Sequence, residues 1–391
     1  MSNQVKNAIQ LANDNRQESI NLLQQLVQIP SLTGEEGKAQ TFLSDILKRL
    51  GGEITMSEPD IAALFETFPS VAQYPTHWEH DLVIPYDDLP NLEGLKSSGL
   101  EEFLNYKNRP NLVCLFKGSG SGRSIILNGH IDTVTIEPKD EWTIPPFSGE
   151  IVEDKMYGRG TSDMKGGLLA GILAITYLKR AGVQLKGDVI IESVVNEEHS
   201  GNGTLDLIRQ GYTADGAIVL EPTNNRIAVS SPGGLYWQVT VPGCSRSPGA
   251  RWNESRLEGV SAIEKLPIII DSLLNLETHY NRGQNGDYME KGRAPFSLVF
   301  GRVSGGHYES VTASEAILRG GAYFSPATGD IHEIMAAMKA TISDINRKDG
   351  FLKDNPARLR FLHHDDSSRQ SEQTPLAVAL SNSLKKNGFP G

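Results

Sequence analysis

Apolar residues recur at three- and four-residue spacing through Ile20–Ile29 and again through Ala39–Leu50, the period of helices that bury one face. The stretch between them breaks that period. Pro30 ends the first helix, Thr33 with Glu36 reads as an N-cap and its box partner, and Gly51–Gly52 closes the second. Residues 57–110, rich in Pro, Asp and aromatics, hold no sustained period and predict an insertion over the core. After it come strand-like Asn111–Lys117 and short apolar runs at Ser124–Leu127, Asp188–Val195 and Gly216–Leu220, with a helical pattern over Lys165–Ala181. That order predicts an α/β catalytic domain with a mostly parallel mixed sheet flanked by helices, in which functional residues gather at the carboxyl ends of strands.

Beyond the Pro/Gly break at Ser231–Gly234 the rhythm changes. Strand Leu235–Val241, helix Gly259–Thr278, strands Ser297–Arg302 and Ala316–Tyr323, helix Asp330–Ile345 and strand Arg358–Leu362 make two βαβ-like halves. They predict a smaller inserted α+β domain over 231–366. Residues 1–230 then form the catalytic domain, and 367–391, helical over Thr374–Lys386, return to it.

Composition narrows the function classes. A chain of 391 residues with 38% apolar content can bury more than one core. The formal charge of −11 argues against a nucleic-acid partner, which needs a basic face. No apolar run approaches the roughly 20 residues that cross a bilayer, so no membrane partner is expected. Met1–Arg16 lacks an apolar h-region, which makes the cytoplasm the expected location. Cys114 and Cys244 have no CxxC spacing and read as ordinary buried residues.

Four segments carry candidate chemistry. Asn128-Gly-His130-Ile-Asp132 places an imidazole and a carboxylate two apart on a strand end, so they point the same way. That suits a metal ligand and the group orienting it, although surface strand ends also carry such pairs. Asp163, in the glycine-rich turn Gly158-Arg-Gly-Thr-Ser-Asp163-Met-Lys-Gly-Gly167, can cap the following helix or bridge two cations with its two oxygens. In Asn196-Glu197-Glu198-His199, the adjacent glutamates read as a solvated loop, or as a general base (Glu197) beside a metal ligand (Glu198). Glu221-Pro-Thr223 adds one more carboxylate after a strand. Taken jointly, oxygen ligands with an imidazole suit zinc, cobalt or manganese in a two-metal hydrolytic site.

The ordered set NGHIDTV, GRGTSDMKGG, NEEHSGNGT and EPT resembles the di-zinc family of acetylornithine deacetylase, succinyl-diaminopimelate desuccinylase, aminoacylase and glutamate carboxypeptidase, over nearly the whole chain. The resemblance implies that His130 and Glu221 ligate one metal, Asp163 bridges, Glu198 ligates the second, Glu197 is the general base and Asp132 orients His130. It also implies two Zn2+ per subunit and a homodimer formed through the lid domain. Two departures stand out. Where the family has an oxyanion-binding lid histidine this chain has Ser247, so that Arg246 or Arg251 would have to supply the charge. The family's C-terminal histidine ligand, beyond the helix ending at Asn387, has no counterpart; His199 is the best internal substitute, while His307, His363 and His364 read as exposed polar residues. The implied activity is hydrolysis of an N-acyl bond on a small amino-acid-like substrate, acetylornithine deacetylase-like first, with desuccinylase, deformylase and dipeptidase as alternatives. A truncated, non-catalytic metal-binding homologue is the reading from another class.

Overall fold

The structure is a computed structural model that describes residues 2–79, 85–87, 91–97, 99, 101–254, 256–282 and 294–389. Parts of the expected insertion (80–84, 88–90, 98 and 100) and the last two residues lie outside the described residues. The chain divides into two compact units, one formed by residues 1–82 and 90–226, the other by 83–89 and 227–389.

In the first unit a five-stranded sheet is built from β1 (Glu53–Ser57), β2 (Asn111–Phe116), β3 (Ile125–His130), β4 (Val189–Val194) and β5 (Ala217–Val219), in the order β1-β2-β4-β3-β5. The β3–β4 and β3–β5 ladders are parallel, and β2 pairs antiparallel with both β1 and β4. Four strands thus run one way and β2 is reversed, the mostly parallel mixed sheet expected. β4, Val-Ile-Ile-Glu-Ser-Val, is buried at all six positions because strands flank it on both sides, and its one carboxylate, Glu192, accepts the Asn128 side-chain amide at 2.8 Å.

Helices α1 (Asn3–Asp14), α2 (Arg16–Val27), α3 (Gly37–Arg49), α4 (Ile61–Thr67), α5 (Leu92–Ser97), α6 (Gly167–Arg180) and α7 (Asn202–Arg209) complete the unit. α3 buries Ala39, Leu43, Ile46 and Leu47 at helical spacing, and α6 buries Leu168, Leu169, Ile172 and Ile175. At the start of α6, a Cβ on Gly167 would stand 2.0 Å from the Leu220 carbonyl oxygen. Only glycine lets this helix approach the strand end that leads to Glu221.

One expectation here is corrected. Thr33 does not cap α3: its hydroxyl donates to Asp132, and Glu36 is fully buried in a bidentate pair with Arg109 at 2.9 Å for each bond. A carboxylate offered a guanidinium in the interior takes that stronger partner over a backbone amide.

The second unit is a four-stranded antiparallel sheet of β6 (Gly233–Pro242), β7 (Phe296–Gly305), β8 (Glu315–Phe324) and β9 (Arg358–Asp365), in the order β7-β8-β6-β9. With α8 (Leu266–Arg282) and α9 (Ile331–Lys348) it forms a βαββαβ unit. Alternate residues Leu235, Trp237, Val239 and Val241 of β6 are fully buried with Ile269 and Leu273 of α8 and Ile334 and Met338 of α9. A capping box of Asp330 and Glu333 starts α9.

α8 begins at Leu266, later than the expected Gly259. Val260 is held in a two-way backbone bridge with Cys244, and Pro267 favours the first helical turn. His364 is also corrected: it is 3% exposed, and its Nδ1 lies 2.7 Å from the Tyr86 hydroxyl. Residues 367–389, expected to return to the first unit, group with the second. Ser368–Arg369 pair with Ser230–Ser231 there, and α10 (Pro375–Lys386) buries only Ala377. Cys114 is buried, which pushes its thiol up to about 12.

Candidate metal centre

The candidate side chains of the first unit leave the carboxyl ends of three adjacent strands and the turn before α6. β3 ends in His130 and leads to Asp132; β4 leads to Glu197 and Glu198; β5 leads to Glu221. Asp163 sits in the turn Thr161–Gly166, across a cis Asp163–Met164 peptide. Parallel alignment of the three strands brings loops far apart in sequence to one edge.

His130, with a side chain 1% exposed, is the hub. Its Nε2 lies 3.0 Å from Asp163 Oδ1, 3.6 Å from Glu221 Oε1 and 3.7 Å from Glu197 Oε2. On the other side its Nδ1 lies 2.9 Å from the Asp132 carbonyl oxygen and 3.6 Å from Asp132 Oδ1. The His130 backbone N–H donates to Met164 Sδ at 3.1 Å, fixing strand to turn.

The electrostatics follow from this crowding. Burial opposes a charge on His130, but the hydrogen bond to Asp163 and the charges of Asp132, Glu197 and Glu221 outweigh it and lift the imidazole to about 10. The same hydrogen bond holds Asp163 below the usual carboxylate range. Glu197, Glu198 and Glu221 are each pushed up to about 7, by burial first and by the neighbouring carboxylates against the opposing pull of His130.

The ligand atoms of His130, Asp163 and Glu221 all lie within 4.8 Å of one another. Glu197 faces the same Nε2. Glu198 falls outside that group among the described residues, and its Oε1 accepts the Val134 N–H at 3.3 Å. Asp132 does more than face His130. Its carboxylate accepts the Thr33 hydroxyl at 2.8 Å, the Glu197 N–H at 3.1 Å and the Glu198 N–H at 3.3 Å, so it pins the acidic loop. His199 Nδ1 lies 3.1 Å from the Thr33 hydroxyl oxygen; since the Thr33 proton goes to Asp132, His199 is the donor.

Ser247 and Arg251 belong to the second unit. Ser247 precedes a short 3-10 turn at Pro248–Ala250, and Arg251 bonds Glu264 and the Gly259 carbonyl. No motif marks the roles of Thr33 toward Asp132, of Met164 toward the His130 N–H, or of the buried Tyr106–Asn196–Asn202 cluster. The asparagines flanking the acidic loop at 196 and 202 were a visible signal for the last of these.

The donor set fits a divalent cation. The donor atoms of one imidazole and two carboxylates lie within 4.8 Å of one another, and the upward shifts of Glu197, Glu198 and Glu221 mark a place where carboxylates crowd and positive charge is wanted.

Residues 126–385 match the profile of peptidase family M20/M25/M40. The chain belongs to that family. Among curated relatives of this M20 chain is N-formyl-4-amino-5-aminomethyl-2-methylpyrimidine deformylase of Halalkalibacterium halodurans, 33% identical over 259 residues. The match covers 64% of this chain, and the chain spans 60% of the deformylase's length. Two solved structures share the M20 fold. The di-peptidase Dug1p of Saccharomyces cerevisiae superposes with a TM-score of 0.68 at 16% identity, over 99% of this chain and 85% of that one. The YXEP protein of Bacillus subtilis, described as a dinuclear metal binding peptidase, gives 0.54 at 14% identity, over 96% and 81%. No helix of the M20 chain among its described residues is long and apolar enough to cross a membrane.

Proposed function

We propose that this protein is a metal-dependent hydrolase of an N-acyl amide bond on a small amine-bearing substrate. The observation that carries the reading is the convergence of Asp163, Glu197 and Glu221, from three different loops, within 3.7 Å of one imidazole nitrogen, His130 Nε2. In this reading His130, Asp163 and Glu221 hold the cation, zinc being the ion best matched to one imidazole with carboxylates. When bound, the cation supplies Lewis-acid polarisation of the amide carbonyl and acidifies water.

The chain's own residues do the rest. Glu197 is the one carboxylate facing His130 Nε2 that the reading does not assign to the cation, and its side chain is 44% exposed, open to a water and a substrate. It takes the proton from the attacking water on a carboxylate oxygen and returns it to the leaving amine nitrogen. Asp132 keeps Glu197 in place through the Glu197 N–H and holds His130 through its carbonyl. The deformylase relative acts, by its name, on a formamide of an aminomethyl heterocycle, which puts a formyl group ahead of the acetyl group suggested by the motifs.

The test is a panel of N-formyl, N-acetyl and N-succinyl amines and dipeptides, incubated with zinc-loaded protein and read by amine release. Hydrolysis of a formamide that stops on chelation supports the reading; hydrolysis unaffected by chelation overturns it. A second reading, a metal-binding but non-catalytic relative, is favoured by Ser247 standing where the resemblance calls for a charged histidine donor. It predicts bound metal with no turnover anywhere on the panel.

A further inference from the structure

The loop that carries Glu197 and Glu198 runs from the end of β4 to the start of α7, and both of its ends meet one atom. Asn196 Nδ2 donates to the Tyr106 hydroxyl at 2.8 Å, and Asn202 Nδ2 donates to the same oxygen at 2.9 Å. All three residues are buried, Tyr106 at 1% exposure and both asparagines at none. The phenol oxygen accepts from both asparagines, and the Ser200 hydroxyl between them in the loop is a further hydrogen-bond partner. Tyr106 therefore ties the mouth of the loop.

The surroundings fix each member of this tie. The Arg109 guanidinium stacks over the Tyr106 ring at 4.8 Å and is itself held by Glu36 and the Thr76 carbonyl. Asn196 has a left-handed backbone with φ of 55°, an unusual state for a side-chain-bearing residue, and its carbonyl accepts the Gly201 N–H at 3.0 Å. Asn111 braces the same loop from β2, accepting the Val195 N–H at 3.1 Å and donating to the Gly203 carbonyl at 2.8 Å. Asn202 Oδ1 also accepts the Gln73 N–H at 3.2 Å. Among the described residues, the Tyr106, Asn111, Asn196 and Asn202 side chains make no hydrogen bond to the side chains of His130, Asp163, Glu197 or Glu221, and Tyr106 comes from the irregular 57–110 segment.

We propose that Tyr106 is a positioning residue for Glu197 and Glu198: its hydroxyl, by bridging Asn196 and Asn202, sets where the acidic loop presents both carboxylates. The proposal rests on the hydrolase reading above for its catalytic consequence, but its structural core can be measured without metal or substrate. Tyr106→Phe keeps the ring and its stack with Arg109 and deletes the one atom both asparagines use. The loop then loses its clasp while the strands keep their ladders.

The experiment is amide hydrogen exchange on the metal-free protein, wild type against Tyr106→Phe, followed by steady-state kinetics of the zinc-loaded pair. Exchange at the Glu197, Glu198 and Gly201 amides should rise about tenfold or more, with β3 and β4 amides unchanged, since only the local opening becomes easier. kcat should fall about 10–100-fold with little change in KM, the mark of a displaced group at the reacting centre. In a Glu197→Gln background the same change should have almost no further effect on kcat. Unchanged exchange in the loop overturns the proposal, as does a uniform rise across both loop and strands, which would make Tyr106 a general stabiliser. If wild-type protein hydrolyses nothing, the hydrolase reading fails while the exchange result still decides the proposal. Should Tyr106→Phe not fold, Asn196→Ser, which removes one arm of the clasp, takes its place with the same two outcomes.

Discussion

His130 Nδ1 stands 2.9 Å from the main-chain carbonyl oxygen of Asp132 and 3.6 Å from that residue's carboxylate, so the imidazole is oriented first by backbone. A carbonyl can only accept, which places a hydrogen on Nδ1 and aims Nε2 at Asp163. With the imidazole lifted to about 10, Nε2 also carries a hydrogen in the metal-free protein at pH 8. A cation at Nε2 displaces it. Metal uptake at pH 8 should therefore release about one proton per ion from His130. Calorimetry in buffers of different ionisation enthalpy reads that number, and uptake with no proton release would contradict the ligand assignment.

Stability of the metal-free protein should depend on pH in a set direction. Glu197, Glu198 and Glu221 sit at about 7 in the fold, above the ordinary 4.5, so the folded state holds more protons than the unfolded chain between those values. Their contribution is greatest below pH 4.5 and is lost as pH rises through 7; that of His130 is lost on rising through about 10. Between pH 5 and 7.5 the fall in Tm should be steeper for metal-free wild type than for Glu198→Gln. Equal slopes would show that the carboxylates are not crowded as described.

Glu197 and Glu198 are adjacent in sequence but differ in surroundings. Glu197 Oε2 faces His130 Nε2 at 3.7 Å, whereas Glu198 Oε1 is held by the Val134 N–H. Glu197→Gln should lower kcat by about 10²–10⁴-fold, the range for loss of a general base, and leave the metal content unchanged. Metal lost together with activity would mean that Glu197 is a ligand and that the roles of the two glutamates are exchanged.

The buried pair behind the centre should be expensive to break. Glu36 and Arg109 have side-chain exposures of 0% and 6% and meet at 2.9 Å, and burial alone would raise the Glu36 carboxyl. Arg109→Met strands that carboxylate and should cost about 3–5 kcal/mol in chemical denaturation. Adding Glu36→Gln should restore part of the loss, because the second change removes the unpaired charge. A double variant as unstable as the single one would place the cost in packing on Tyr106 instead.

The sequence shows the centre more fully than it shows what supports the centre. His130, Asp163 and Glu221 follow apolar strand or turn patterns that any α/β reading places at one sheet edge, and the structure brings them together. Thr33 misled because a hydroxyl three residues before a glutamate reads the same whether its partner is the next helix or Asp132, 99 residues away. Tyr106 and Arg109 were hidden for a related reason. They lie in a segment without periodicity, and their partners are fixed by tertiary packing. His364 looked exposed because a strand-end histidine carries no mark of the Tyr86 hydroxyl that meets it. The late start of α8 had a signal in Pro267, but the bridge between Val260 and Cys244 that holds the preceding residues extended had none.

If His130, Asp163 and Glu221 form a cation site, equilibrium dialysis against zinc will show it. Wild type and His130→Ala are dialysed side by side at pH 8, and bound metal is counted per folded chain by elemental analysis. Wild type should retain zinc, and His130→Ala, with the one imidazole removed, should retain none at the same free concentration. Equal retention by the two proteins would contradict the cation site.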